Sequence, residues 1–189
     1  MQNYFKSDSP DVLVFKSKIE DIPGGITVAV KDLSQSRIYA GTPVGKDENG
    51  LYHVVKTAKI QTATGAATDT AYKVAKGHNF KIGDVLASGA KGYAITAIDT
   101  TAADYDLLTV GTTLGAAAVG DILYEGSKSA ATGVTFKYAP EALTGETFDV
   151  VEGDNHSVGA IVRGSVVKAN IVAPISDAIV SALPLIRFV

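Results

Sequence analysis

The chain has no cysteine and no tryptophan, and only three of its 189 residues are histidines. The absence of cysteine excludes a disulfide framework, a thiolate zinc site and a cysteine nucleophile. His53, His78 and His156 lie on separate segments, and none has a second histidine at the spacing of a metal-binding pair. We therefore expect no metal centre and no cofactor in this protein.

Charge and hydropathy exclude further classes of partner. The 17 basic and 20 acidic residues are spread along the chain and give a formal net charge of −3, so no nucleic-acid surface is predicted. No apolar run has the length of a membrane span, because prolines and charged residues interrupt even residues 171–189. Residues 1–10 lack the basic start and apolar run of a secretory signal, which predicts that the protein is made in the bacterial cytoplasm and acts where it is made.

One short pattern occurs twice in the middle of the chain. Residues 83–89 read GDVLASG, and 37 positions later residues 120–126 read GDILYEG. In each copy a Gly-Asp turn is followed by a short apolar strand that another glycine ends. With the strand candidates 93–98 and 107–110 between the copies, this pattern predicts a compact all-β unit, a small inserted β-barrel-like domain over residues 57–131.

The flanks of this unit also have the sequence pattern of strands. Alternating apolar residues and closely spaced turn residues predict strands over 26–30, 37–40, 52–56, 134–138, 148–151, 158–163 and 166–172. Residues 174–183 instead have apolar spacing of three and four, which predicts a short helix before a last strand over 185–189. The small, polar stretches 57–70 and 125–133 are typical of linkers. The sequence thus predicts a mainly β protein in which residues 1–56 plus 132–189 form one discontinuous β-rich domain with a C-terminal helix.

Three segments have a superficial likeness to reactive or binding motifs. Residues 41–47 lack the spacing of a phosphate-binding loop and the hydroxyl residue that follows its lysine. Asp99, Asp104 and Asp106 lack the ligand order and central glycine of a calcium loop. Residues 152–157 place an acid, an imidazole and a hydroxyl side by side in a turn, where such neighbours do not usually point at one another. We therefore expect no catalytic residue and no enzymatic activity.

Three short segments of the flanks resemble a known family. Residues 38–45 (IYAGTPVG), 134–140 (VTFKYAP) and 159–167 (GAIVRGSVV) are similar to segments of the capsid decoration and head fibre proteins of tailed bacteriophages. The resemblance implies a virion structural protein, from a phage or prophage, that binds the outside of the assembled capsid through the major capsid protein. It also implies a homo-oligomer, with a trimer favoured. The inserted middle unit departs from the compact lambda-type decoration protein.

Two segments are candidates for contacts in such an assembly. The first is an N-terminal arm that could add to a neighbouring sheet, and its alternative is an ordinary first strand. The second is the C-terminal helix, which could contact other subunits or pack on its own domain. The residues expected to carry these contacts are Tyr4, Phe5, Val12 and Val14 for the arm, and Ile175, Ile179 and Leu183 for the helix.

Two other function classes stay open at the level of sequence. A surface adhesin or carbohydrate-binding module would stack sugars on tyrosines, and the candidates are Tyr72, Tyr93, Tyr105 and Tyr124. The lack of tryptophan and of a signal peptide weighs against that class. A hydrolase that uses Asp99, Asp154 or His156 is a more distant alternative.

Overall fold

A computed structural model describes residues 13–64 and 66–189 of the chain. In this range the protein is mainly β, and its α-helical structure is one short helix near the C-terminus. The strands of the first third are β1 (Phe15–Asp21), β2 (Ile26–Val28), β3 (Arg37–Ile38), β4 (Pro43–Lys46) and β5 (Tyr52–Val54). The middle strands are β6 (Thr57–Thr62), β7 (Ala71–Ala75), β8 (Val85–Ser88), β9 (Lys91–Asp99), β10 (Tyr105–Val110) and β11 (Ile122–Glu125). The last are β12 (Ala142–Thr144), β13 (Phe148–Asp149), β14 (His156–Val158), β15 (Ala160–Val166) and β16 (Ile186–Phe188), with helix α1 (Asp177–Ala182) between β15 and β16.

The six middle strands close into a barrel with the order β10, β7, β6, β11, β8, β9. All their pairings are antiparallel, and closure leaves this barrel unit without an exposed sheet edge. Its core consists only of residues from the barrel unit: Ala58, Ile60, Tyr72, Val74, Phe80, Leu86, Ile95, Leu108, Val110, Leu114, Ala117 and Leu123. The inserted β-barrel-like unit that the sequence predicts is therefore present. Whether residues 57–131 fold as a domain of their own stays a prediction.

The barrel consists of two similar halves, β6 to β8 and β9 to β11. Exchange of β6, β7 and β8 with β9, β10 and β11 converts the pairs β6–β7 and β6–β11 into β9–β10 and β9–β8, and it leaves the pairs β7–β10 and β8–β11 unchanged. The hydrogen bonds of the two Gly-Asp turns also correspond. Gly83 N–H donates to the Ile95 carbonyl, and Gly120 N–H donates to the Ile60 carbonyl, each at 2.9 Å. The repeated pattern in the sequence therefore marks an approximate two-fold repeat of three strands.

Each Gly-Asp turn is stabilised in the same way. Gly83 and Gly120 have φ of +96° and +94°, a backbone conformation that only glycine adopts without strain. The Asp84 carboxylate accepts a hydrogen bond from the backbone N–H three residues earlier, and the Asp121 carboxylate does the same, both at 2.8 Å. The apolar residue before each glycine is exposed to a similar degree, 67% for Ile82 and 65% for Val119.

The remaining strands form the flanking unit around the barrel. Its main sheet has the order β1, β15, β12, β4, β5, β2, β14, and β16 pairs in parallel with β15. A separate two-stranded sheet joins β3 and β13. One core lies between β2, β4 and β14, and another forms where helix α1 and β16 pack against β15. The barrel is thus inserted between β5 and β12, which are not adjacent in the sheet.

The C-terminal helix is shorter than the apolar spacing predicts. It begins after Ser176, whose side-chain oxygen accepts a hydrogen bond from the Ile179 N–H, and ends before Leu183 and Pro184. The last strand, β16, lies within the predicted range 185–189.

Three local predictions were wrong. Residues 57–62 form β6, the first barrel strand, because Ala58 and Ile60 face the core while Lys59 and Gln61 face solvent. Residues 134–138 form only an isolated bridge through Phe136, since their backbone hydrogen bonds go to Ala90, Glu125 and Ser127 and not to one neighbouring strand. Residues 166–172 do not continue as a strand. After Val166 the chain forms a single 3₁₀ turn, Lys168–Asn170, and the Lys168 N–H donates a hydrogen bond to the Val189 carbonyl.

Candidate functional site

Four charged residues meet where the barrel unit joins the flanking unit, and we call this group the charged junction. Lys56 lies just before β6, Asp84 lies in the first Gly-Asp turn, Glu125 ends β11, and Lys137 lies in the loop that returns to the flanking unit. The Lys56 Nζ lies 2.7 Å from Asp84 Oδ2 and 3.8 Å from Glu125 Oε1, and the Lys137 Nζ donates to Glu125 Oε1 at 2.7 Å. Positive and negative charges thus alternate across the boundary between the units.

The charged junction is shielded from water. The side chains of Lys56 and Glu125 are each 3% exposed. Burial raises the pKa of Glu125 above its usual value, although Lys56 and Lys137 act in the opposite direction. Partial burial lowers the pKa of Lys137, but its hydrogen bond and attraction to Glu125 outweigh that effect and raise it. The second carboxylate oxygen of Glu125 is buried and has no hydrogen-bond partner among residues 13–64 and 66–189, which is an unusual cost inside a protein.

A second set of contacts also joins the units. The Ser34 hydroxyl and the Gln35 amide both donate to the backbone carbonyl of His78 at 3.0 Å. The backbone N–H of Gln35 also donates to the Asn79 side chain, and Lys81 Nζ donates to a carbonyl of the flanking unit. These contacts hold the loop between β7 and β8 against residues 31–35.

A cleft of about 200 Å³ lies between the units beside these contacts. Its walls include Arg37, Tyr39 and Val172 from the flanking unit and Asn79 from the barrel. A smaller cavity of about 130 Å³ lies next to it and is lined by His78 among others. Both volumes are small beside those of typical ligand pockets.

His78 is a buried histidine of the barrel unit. Its Nδ1 accepts a hydrogen bond from the backbone N–H of Phe80, so its proton is on Nε2, which lies 3.3 Å from the Asp106 carboxylate without forming a hydrogen bond. Burial lowers the pKa of His78, against the opposing effect of Asp106. Asp106 itself is paired with Lys76 at 2.8 Å. Asp106 is therefore a structural ion-pair residue, and the Asp99 carboxylate accepts hydrogen bonds from the backbone N–H and the hydroxyl of Thr101.

The edge of the main sheet carries the most exposed strand of the flanking unit. Six of the seven residues of β1 are exposed, and β1 has β15 as its neighbour on one side only. Ile19 on this strand is 63% exposed. The pairing register between β1 and β15 shifts at three places, and β1 carries both lysines and acids along its length. An edge of this kind can accept a further strand, while the irregular register and charges limit indiscriminate pairing.

The predicted contact residues fall into three groups. Tyr4, Phe5 and Val12 lie outside the described residues. Val14 packs against the core formed by α1 and β16, and its carbonyl accepts a hydrogen bond from the Val167 N–H. The three residues that were predicted for the helix are buried in that same core, with only Ile179 inside α1 itself: Ile175, Ile179 and Leu183. Their surface is thus used within the chain, and a contact with another subunit through them stays a prediction.

The tyrosines that could stack on sugars have different environments. Tyr72 is fully buried in the barrel, where its hydroxyl donates to the carbonyls of Asp69 and Gly115, so it cannot be a sugar platform. The Tyr124 hydroxyl donates to carbonyls of the loops around it. Tyr105 has the amino group of Lys73 4.8 Å from its ring centre.

The turn at residues 152–157 does not bring its polar side chains together. The ring of His156 stacks on Phe148 with centroids 4.2 Å apart, and the acids of the turn are exposed. Within residues 13–64 and 66–189 no three acidic or imidazole side chains are grouped to hold a metal ion. Over the same range, no helix has the length and apolar character needed to cross a membrane.

Comparison of the chain with models of protein families, with curated proteins and with solved structures finds no match.

The residues of the charged junction were missed by sequence reasoning. One signal was nevertheless present: Glu125 stands in the second copy of the repeat where Ser88 stands in the first. A charged residue that only one copy carries indicates a role outside the repeated strand pattern.

Proposed function

We propose that this protein is a structural component of a tailed-phage particle that binds the outside of the assembled capsid, stabilises it and displays the barrel outward. The observation that carries the proposal is the exposed edge strand β1, which directly follows the N-terminal residues. Strand addition to such an edge is a common way for one protein to bind another. The resemblance of residues 38–45 to decoration and head fibre proteins supports the same function.

The architecture supports this function in a second way. The flanking unit has the open sheet edge, while the barrel is closed and has none. A protein of this kind can bind through one unit and hold the other away from the binding surface. The partner in this proposal is the major capsid protein, with further copies of the chain as neighbours, and the protein acts on the virion surface without catalysis.

The first experiment is quantitative mass spectrometry of density-banded phage particles induced from the strain that carries the gene. The proposal expects peptides of this chain in full heads at a fixed ratio to the major capsid protein. Reproducible absence from heads, with the peptides in the cell envelope, would overturn it and favour the adhesin.

The second experiment tests the edge strand with a matched pair of variants. Ile19→Glu places a charge on β1, and Val119→Glu places the same charge on the barrel at a residue of nearly equal exposure, 63% against 65%. In add-back to capsids that lack the protein, we expect Ile19→Glu to lose binding and Val119→Glu to retain it. Equal binding by both variants would exclude β1 as the contact.

A further inference from the structure

The charged junction lies outside the apolar cores of both units. The barrel has a complete apolar core made of its own residues, and the flanking unit has two others. Buried ion pairs contribute little net stability, because the loss of hydration offsets their attraction. The unpartnered oxygen of Glu125 makes this balance still less favourable.

The internal repeat isolates the role of Glu125. Residue Ser88 occupies the corresponding position of β8, and β8 makes the corresponding strand pairings without a carboxylate. The strand therefore does not need an acid at this position. A lysine lies opposite in both copies, Lys91 opposite Ser88 and Lys56 opposite Glu125. What distinguishes the position of Glu125 is Lys137 of the flanking unit, which pairs with its carboxylate.

The contacts of Glu125 cross the boundary between the units in both directions. Its backbone N–H donates to the Lys56 carbonyl at 3.0 Å, and its carbonyl accepts from the Lys137 N–H at 2.9 Å. Its carboxylate then pairs with the ammonium groups of the same two lysines. A rotation of the barrel would separate these charges while they are still buried, and buried charges without partners are strongly unfavourable.

We propose that the charged junction is an orientation lock: Glu125, held between Lys56 and Lys137, fixes the direction in which the barrel points from the flanking unit. Glu125 is a positioning residue in this device. The inference does not depend on the proposed function, since it concerns two units of one chain. The contacts of Gln35 with His78 form a second attachment of the barrel to the flanking unit.

The orientation lock is expected to depend on pH. The charged and titratable groups that face the Glu125 carboxylate are Lys56, Asp84, Lys137 and, further away, Tyr138. Protonation of Glu125 converts its ion pairs into neutral contacts while the lysines keep their charge. We therefore expect mild acid to broaden the range of barrel orientations without unfolding either unit.

Distance measurement by electron spin resonance tests the lock, because a chain without native cysteine accepts two spin labels cleanly. Thr112→Cys labels an exposed site of the barrel, and Ala178→Cys labels an exposed site of helix α1. The proposal expects one narrow distance distribution in the labelled parent. It expects loss of that narrow distribution in Glu125→Gln, and no change in the matched control Ser88→Ala.

The thermal midpoint of unfolding separates orientation from stability. The proposal expects Glu125→Gln to broaden the distances with an unchanged or higher midpoint. An unchanged distribution overturns the proposal, and so does broadening with a midpoint lowered in proportion, which would indicate a stabilising role only. If Glu125→Gln does not fold, the same distance measurement is made on Lys137→Met. Lys137 is 37% exposed, and its replacement removes the ion pair with Glu125 by changing the lysine partner.

Discussion

Replacement of Lys56 by methionine is the sharpest test of the energetics of the charged junction. The methionine side chain has nearly the volume of lysine but no charge, so packing around Ala58 and β6 is preserved. The change leaves Glu125 buried with only Lys137 as its partner, and it removes the 2.7 Å ion pair of Asp84. The double variant with Glu125→Gln removes the buried carboxylate as well.

The expected magnitude follows from the burial of the three groups. Removal of one partner of a buried ion pair costs about 3–5 kcal/mol, because the remaining charge stays desolvated. Asp84 is partly exposed and keeps its backbone hydrogen bond from Lys81, which lowers the cost. We therefore expect Lys56→Met to lose about 3 kcal/mol of unfolding free energy, roughly a hundredfold in the folding equilibrium. The double variant should recover at least about 1 kcal/mol of this loss.

Urea denaturation followed by circular dichroism and tyrosine fluorescence measures these free energies. The matched control is Lys59→Met, since Lys59 lies on the same segment, is exposed and makes no ion pair among the described residues. Its effect should stay within about 0.5 kcal/mol. A loss below about 1 kcal/mol for Lys56→Met, or no recovery in the double variant, would refute the idea that Lys56 compensates a buried carboxylate.

The barrel and its repeat can be tested in three further ways. Gly83→Ala and Gly120→Ala should each cost about 1–2 kcal/mol in denaturation experiments, because both glycines have positive φ, while Gly111→Ala, without that constraint, should have little effect. Unequal costs for the two turns would contradict their equivalence. A peptide of residues 57–131 should fold with one cooperative transition, and a spectrum typical of an unfolded chain would contradict the predicted domain. Burial raises the pKa of Glu125 in the folded protein, so protonation of Glu125 favours the folded state. Glu125→Gln cannot ionise, and its unfolding free energy should therefore exceed that of the parent most near pH 7. This difference should shrink as the pH falls through the pKa of Glu125. An advantage that grows in acid would contradict this sign.

Several elements of the fold were readable because their signals are local. The Gly-Asp turns need glycine at a positive φ and a carboxylate that binds the backbone, so residues 83–84 and 120–121 carry both residue types in order. The strands β7 and β10 alternate between buried and partly exposed residues, as half-buried strands do. The mainly β fold with a short terminal helix followed from such patterns.

Other elements could not be predicted from the sequence, because their residues have only a weak intrinsic preference for one secondary structure. Residues 57–62 contain only two apolar residues, Ala58 and Ile60, and they form a strand because β7 and β11 supply hydrogen bonds on both sides. Residues 134–138 have alternating apolar residues but lack a neighbouring strand to pair with along their length. Strand formation depends on such partners more than on intrinsic preference.

The sequence by itself determined the local chemistry of this protein: the turns, the strand periodicity, the repeated three-strand unit and the absence of thiol chemistry. The tertiary structure alone decided which distant residues meet. Lys56 and Lys137 are separated by the whole barrel in sequence, and closure of the barrel brings both to Glu125. The sequence does not show whether a charged side chain is exposed to solvent or forms a buried ion pair, because burial and the identity of the partner are properties of the folded chain.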